Sequence, residues 1–272
     1  MPEKYRYEEF TWPEIREAVA QNRVAVLPVG TVEQHGPHLP LITDVLTASE
    51  MSRLAVERVP NEAVLLPPVY YSFNEHHMDF PGTIAVEGPT IINYVTDIGH
   101  SLAHHGFRKI LLVNGHGSNV PFLDVATRNI TNRTEAVCAM IPWWNLIPRD
   151  LLRELRESEY PGGMAHGCEL ETSVLLHLRP GLVQMEKAEK DISFQPGEFF
   201  FWDLQTPSPV FFQEWFSRYS RTGAVGDPTK ATAEKGRLFV EAVVERLVAL
   251  IGEFRAREIR RREVPPRALQ AR

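Results

Sequence analysis

Cysteine is scarce in this chain: Cys138 and Cys168 are the only two in 272 residues. So few exclude a disulfide framework. Cys138, inside the apolar run Ala136-Val137-Cys138-Ala139-Met140-Ile141, reads as core. Long apolar runs are missing too, so nothing in the sequence is built to cross a bilayer. The opening Met1-Pro2-Glu3-Lys4-Tyr5 is too polar for a secretory leader. A cytoplasmic protein with no membrane partner is expected. Positive charge is in deficit, 29 Lys and Arg against 35 Asp and Glu, for a net charge of −6. With no basic cluster beside the chemistry-bearing residues, nucleic acid is excluded as the main partner. The Arg-rich run from Arg255 to Arg262 reads as a solvated tail closing a helix. Internal repeats and low-complexity segments are also absent.

What the chain does have is ordinary globular composition, 43% hydrophobic and 24% charged, and enough length to bury a full core. Thr11-Trp12-Pro13-Glu14 has capping-box spacing with an early proline, which predicts a helix over Trp12 to Ala20. Buried strands are predicted at Val24 to Val29, Ala63 to Tyr71, Ile110 to Val113 and Ala136 to Ile141. Helices are predicted between them, over Thr47 to Arg58 and from Pro89-Thr90 to Gly106, with another after Asn114-Gly115. In the second of these, Ile91, Val95, Ile98 and Leu102 share one face. Strand alternating with helix predicts an α/β fold with a mostly parallel sheet covered on both sides. From about Ile192 to Pro228 the pattern breaks. Pro196, Pro207, Pro209 and Pro228 among many aromatics read as an ordered excursion over the surface or into a neighbouring subunit. A last helix from Lys230 to Arg255 closes the fold, and a single domain over residues 1–272 is the economical reading.

Directly after the first strand the chain reads Glu33-Gln34-His35-Gly36-Pro37-His38-Leu39-Pro40-Leu41-Ile42-Thr43-Asp44. In extended chain, residues i and i+2 point to one side, so Glu33 and His35 can face one ion together. The Gly-Pro turn allows Asp44 to return toward them. A second stretch, Asn114-Gly115-His116-Gly117-Ser118-Asn119, follows the strongest strand. Ligands of open α/β sheets sit at the carboxyl ends of strands, which places His116 on the same rim. Metal ligation by His116 is favoured over two rivals. One is a phosphate loop, whose glycine and lysine pattern is missing. The other is a serine-hydrolase elbow at Ser118, whose G-x-S-x-G spacing is missing. A third stretch, His166-Gly167-Cys168-Glu169-Leu170-Glu171-Thr172-Ser173, opens a helix, and either Glu169 or Glu171 could complete a site. Acidic residues also favour a first helical turn for dipole reasons alone. Carboxylates and imidazoles in this number suit a pair of divalent ions bridged by a carboxylate and a water, with His166 left to move a proton.

Other histidines fit blander roles. His100 and His104 lie opposite the apolar face of their helix and are expected to face solvent. His38 is expected to hold the shape of its loop, and His177 to meet carbonyls at a helix end. The polar run Asn74-Glu75-His76-His77-Met78-Asp79 before Phe80-Pro81-Gly82-Thr83 is expected to line the pocket, with His77 supporting the site or touching substrate.

Taken together, Glu33-Gln34-His35-Gly36-Pro37-His38, Phe80-Pro81-Gly82-Thr83, Asn114-Gly115-His116-Gly117 and Glu171-Thr172-Ser173 resemble the creatininase (creatinine amidohydrolase) family over roughly residues 20–250. The resemblance implies a three-layer α/β/α fold and two divalent ions per subunit, zinc, manganese or iron. It also implies hydrolysis of a C–N bond in a small cyclic or related amide. Members commonly form hexamers, so a homo-oligomer is implied. Matching positions make Glu33, His35, Asp44 and His116 the ligands, with Asp44 bridging, and make His166 the proton shuttle. Creatininase itself carries a metal-binding glutamate where this chain has Ser118. Other members have a glutamate three residues after the second histidine, which points to Glu169 as the fifth ligand and a catalytic residue. Ser118 and His77 then become substrate contacts. Trp144 matches one pocket tryptophan, whereas Pro161-Gly162-Gly163-Met164-Ala165 has none where creatininase has its second. That absence speaks against creatinine itself. A deformylase or peptidase acting on a biosynthetic intermediate is the alternative within the family, and a catalytically silent metal-binding protein the alternative outside enzymes.

Overall fold

The computed structural model describes residues 4–260, 262 and 263. The opening Met1-Pro2-Glu3 and Arg261 of the Arg-rich run lie outside the described residues. In chain order the main elements are α1 (Trp12–Ala20), β1 (Val24–Val29), α2 (Thr43–Arg58), β2 (Ala63–Leu65), α3 (Gly88–His104), β3 (Lys109–Asn114) and α4 (Val120–Arg133). They continue with β4 (Val137–Pro142), α5 (Arg149–Leu155), β5 (Met164–His166), α6 (Glu169–Leu178), α7 (Phe216–Tyr219), β6 (Val225–Gly226) and α8 (Ala233–Ala256).

β1 to β4 form one parallel sheet in the order β2-β1-β3-β4. Side chains alternate across it, as the period of a strand requires. Val24, Val26, Leu111 and Val113 pack on one face against Met51 and Ala55 of α2, Leu170 and Val174 of α6, and Phe239 and Leu247 of α8. Ala25, Leu27, Ile110 and Leu112 pack on the other against Ala18 of α1, Ile91 and Val95 of α3, and Leu123 and Ile130 of α4. This is a three-layer α/β/α fold with a mostly parallel central sheet. A two-stranded antiparallel pair, β5 with β6, joins the segment before α6 to the end of the 192–228 stretch. Among the described residues, no helix is long and apolar enough to cross a membrane.

Three boundaries differ from the sequence reading by three residues or more. β2 stops at Leu65 instead of reaching Tyr71, because Pro67 and Pro68 have no N–H for a ladder. Pairing resumes only at Val69, whose N–H donates to Pro28 and whose carbonyl accepts from Gly30 N. α2 begins at Thr43, not Thr47, so Asp44 lies in its first turn. α8 begins at Ala233, not Lys230, after Thr232, whose side chain accepts from Lys235 N.

The α2 entry is what assembles the site. A Cβ on Gly30 would stand 2.4 Å from Val45 N, and one on Gly115 would stand 2.2 Å from the Asp44 carbonyl oxygen. Only glycine at the ends of both strands lets the helix start seat itself over the rim.

Candidate metal centre

β1 and β3 are neighbours, with Val29 opposite Asn114. Their carboxyl ends therefore deliver Glu33, His35 and His116 to one place, where α2 adds Asp44. All four are almost wholly buried. His35 Nε2 lies 2.9 Å from Asp44 Oδ1, and His116 Nδ1 lies 3.1 Å from Asp44 Oδ2 and 3.2 Å from Glu33 Oε1. Asp44 thus faces a different imidazole with each oxygen. Both oxygens of Glu33 are buried, and no donor among the described residues is aligned to hydrogen-bond either. A carboxylate in that condition is unstable as an anion unless a cation compensates it, and otherwise tends to hold a proton.

The ring nitrogens turned away from the cluster are tethered. His35 Nδ1 lies 3.3 Å from the Glu33 carbonyl and His116 Nε2 lies 3.0 Å from the Phe73 carbonyl. Carbonyls only accept, so these nitrogens carry the protons, and Nε2 of His35 and Nδ1 of His116 are the ones free to ligate. The electrostatics agree. Burial acts to lower the His35 pKa, but Asp44, Glu171 and Glu33 outweigh it and raise it to about 9. Burial likewise opposes His116, which Glu33 and Asp44 raise to about 10. Asp44 is held well below the usual range by the two imidazoles despite its burial. Burial pushes Glu33 up, against the pull of His116. Without metal, protons on the histidines balance the buried carboxylates, and a divalent ion would take over that role. The donor set fits divalent cations.

Glu169 is corrected. Its buried carboxylate lies 2.6 Å from Lys235 Nζ and accepts from the backbone N–H groups of Glu157 and Ser158, at 3.1 and 2.8 Å. It is therefore engaged by Lys235 and the backbone rather than by the cluster of Glu33, His35, Asp44 and His116, contrary to the expectation of Glu169 as ligand and catalytic residue. Glu171, two residues on, brings Oε1 to 3.9 Å from His35 Nε2. Burial raises its pKa to about 7. The groups spaced to hold an ion are Glu33 with His35 and Asp44, His35 with His166 and Glu171, and Glu33 with His77 and His166. Successive helical residues are about 100° apart, so only one of two carboxylates separated by two positions can face inward. Nothing in the local sequence says which.

The pocket above the cluster is lined by Ser118, Trp144, His77 and His166, all expected, by His76 from the polar run expected there, and by Glu171, Trp202 and Leu204, which the sequence reading did not place in it. Ser118 Oγ lies 3.0 Å from His76 Nε2 rather than on the ligand cluster. His166 ends β5 with Nδ1 3.8 Å from Glu33 Oε1 and its ring stacked on His35, centroids 4.1 Å apart. Burial and the neighbouring His35 hold its pKa well below the ordinary value. His77 stacks on Phe216 of the 192–228 stretch at 4.0 Å. His38 bonds Thr172 Oγ1 through Nε2 at 2.9 Å and so ties the ligand loop to α6, as its loop-holding role requires. His104 and His177 are exposed, but His100 is half-buried rather than facing solvent, because its helix side meets α4 through Gly99 and Ile130.

The chain matches the creatininase family model, described as creatinine amidohydrolase, over residues 8–251. It is 29% identical to the creatinine amidohydrolase of Pseudomonas putida over 262 residues, covering 90% of this chain and 95% of that one. It is 32% identical to the mycofactocin precursor peptide peptidase of Mycobacterium tuberculosis strain H37Rv over 247 residues, covering 84% of each. A crystal structure of creatininase superposes with a TM-score of 0.78 at 28% identity, covering 94% of this chain and 99% of that one. Solved relatives include a mutant creatininase of Zn–Zn type and a Mn creatininase. Each has a TM-score of 0.77 at 28% identity over 93% of this chain, with 99% and 100% of the relatives covered. This chain belongs to the creatininase family of amidohydrolases.

Proposed function

We propose that this amidohydrolase cleaves a C–N bond of a small amide, with two divalent ions held by Glu33, His35, Asp44, His116 and Glu171. Zinc, manganese or iron suits such mixed imidazole and carboxylate donors. The observation that carries the reading is the buried Glu33 carboxylate with no aligned donor, set among three histidines and Asp44. Such ions, when bound, supply Lewis-acid polarisation of a carbonyl and lower the pKa of water.

The chain's own residues then do the rest. His166 Nε2 donates to the Gln34 carbonyl at 2.8 Å, so Nδ1 is its basic atom and faces the ligand cluster. Because burial keeps this imidazole neutral, Nδ1 can take a proton from the attacking water and pass it to the departing nitrogen. Trp144 and Trp202 give the pocket aromatic walls suited to a flat, compact amide. The relationship to a peptidase supports a second reading, a peptide or formamide substrate, and the lack of a tryptophan at Pro161 to Ala165 fits it equally. A homo-oligomer is part of the proposal. Phe199, Phe211 and Phe212 stand exposed on the 192–228 stretch, surface that a second copy would cover.

The test is elemental analysis of protein purified without chelators, joined to a turnover screen of lactams, formamides and short peptides. Two ions per chain and activity on one of these classes are expected, with His166→Ala keeping its metal and losing turnover by about 10²-fold or more. Absence of stoichiometric metal after reloading would sink the reading.

A further inference from the structure

Gln34 sits between two ligands, Glu33 and His35, yet its side chain makes its own set of bonds. Gly36 N lies 2.9 Å from Gln34 Oε1. A backbone N–H can only donate, so the atom it meets must be the amide oxygen, and the orientation of the amide is fixed. The NH2 end then faces His77 Nδ1 at 2.8 Å. An amide nitrogen does not accept, so His77 Nδ1 must be the acceptor and bear no proton. A neutral imidazole with Nδ1 unprotonated carries its proton on Nε2. That atom points into the cluster, 3.6 Å from Glu33 Oε1, and His77 lines the pocket.

The amide is also confined. Gly223 has φ +87°, and a Cβ placed there would stand 2.0 Å from Gln34 Oε1. The 192–228 stretch therefore closes over Gln34 from one side, while Phe216 of that stretch stacks on His77. Gln34 Nε2 also lies 3.4 Å from His166 Nε2, but that nitrogen already donates to the Gln34 carbonyl, so the contact adds no bond.

We propose that Gln34 is a positioning residue that fixes His77 in its Nε2–H form, making it a hydrogen-bond donor aimed at the reaction space and excluding it from the metal ligands. This rests on the amidohydrolase reading for its catalytic consequence, though not for its geometry. The Nε2–H would meet the substrate carbonyl oxygen as it gains negative charge, the situation in which a fixed donor helps most. Among the spatial groupings able to hold an ion, the one using His77 is thereby ruled out.

The experiment is long-range ¹H–¹⁵N correlation of the histidine side chains in ¹⁵N-labelled, zinc-reloaded protein, with His77 assigned by comparison with His77→Gln. Wild type should show His77 protonated on Nε2. Gln34→Glu offers only acceptors and should move that proton to Nδ1. Gln34→Ala should leave a mixture of both tautomers. Metal content should remain two per chain in Gln34→Ala, with kcat down by about 10²-fold and KM little changed. A wild-type His77 protonated on Nδ1, or one tautomer shared by all three proteins, would overturn the assignment. The tautomer is read without turnover, so failure of the amidohydrolase reading would show separately, as absent metal or absent activity.

Discussion

Lys235 Nζ lies 2.6 Å from Glu169 Oε1, and both groups are buried at the junction of α6 and α8. The ammonium also meets Glu157 at 2.7 Å and the Lys230 carbonyl at 2.9 Å. Removing Lys235 leaves the buried Glu169 charge with backbone N–H groups alone, and removing Glu169 leaves the ammonium with the exposed Glu157; breaking a buried pair costs up to about 3–5 kcal/mol. Glu169→Ala and Lys235→Ala should therefore lower stability by a few kcal/mol while leaving both metals bound. Glu171→Gln should do the reverse, with near-normal stability and loss of at least one ion. Elemental analysis alongside denaturant unfolding separates the two outcomes. Metal lost from Glu169→Ala but retained in Glu171→Gln would restore the assignment made from sequence.

Why the sequence reading favoured Glu169, which the structure pairs with Lys235, is physical. Glu33, His35 and His116 were legible because each lies within a few residues of an apolar strand end, and parallel neighbouring strands place such residues on one rim. Asp44 was legible from the turn that brings it back. Choosing between Glu169 and Glu171 requires the rotation of α6, which depends on Lys235, 66 residues away. Gln34 was missed for a different reason. Extended chain would point residue 34 away from the face shared by 33 and 35, but its amide turns back to cap Gly36 N and reaches His77. Trp202 and Phe216 had no local signal at all. Their stretch carries no regular period, and only the folded chain shows it lying across the pocket.

The metal-free protein should become less stable as pH rises above neutrality. His35, at about 9, and His116, at about 10, hold protons in the folded state that the unfolded chain releases near 6.5. A group with a raised folded pKa stabilises fully below its unfolded value, and that contribution is lost as pH climbs toward the folded one. Glu171, at about 7, acts in the same direction around neutrality. Between pH 7 and 8.5 the loss should approach about 2 kcal/mol per pH unit, since each proton contributes about 1.4. Zinc bound there would replace these protons, and its binding would tighten as pH rises because protons compete less for the donor groups. Thermal melts with chelator should thus fall across this window, while melts with zinc should not. A flat or rising midpoint in the chelated protein would contradict the charge balance drawn for the site.

Trp202 and Leu204 line the pocket, whereas Asp203 between them is turned the other way. Its buried carboxylate meets Arg156 at 2.7 Å and accepts from Gly162 N at 2.8 Å. Leu204 N also donates to the Met164 carbonyl at 2.8 Å, two residues before His166. The wall is thus fastened to the strand that presents His166. Trp202 in turn packs edge-on against Phe216, centroids 5.3 Å apart. An aromatic wall of this kind contributes about 1 kcal/mol or somewhat more to holding a flat ligand, close to tenfold in affinity. Trp202→Ala should raise KM by about tenfold for the amide found in the screen, with metal content and kcat largely kept. Trp202→Phe should recover much of the loss. If Trp202→Ala instead lowered kcat with KM unchanged, the side chain would be acting on the reacting groups rather than as a wall. Asp203→Ala should reproduce the KM effect together with reduced stability, because the wall loses its anchor and Arg156 loses its partner.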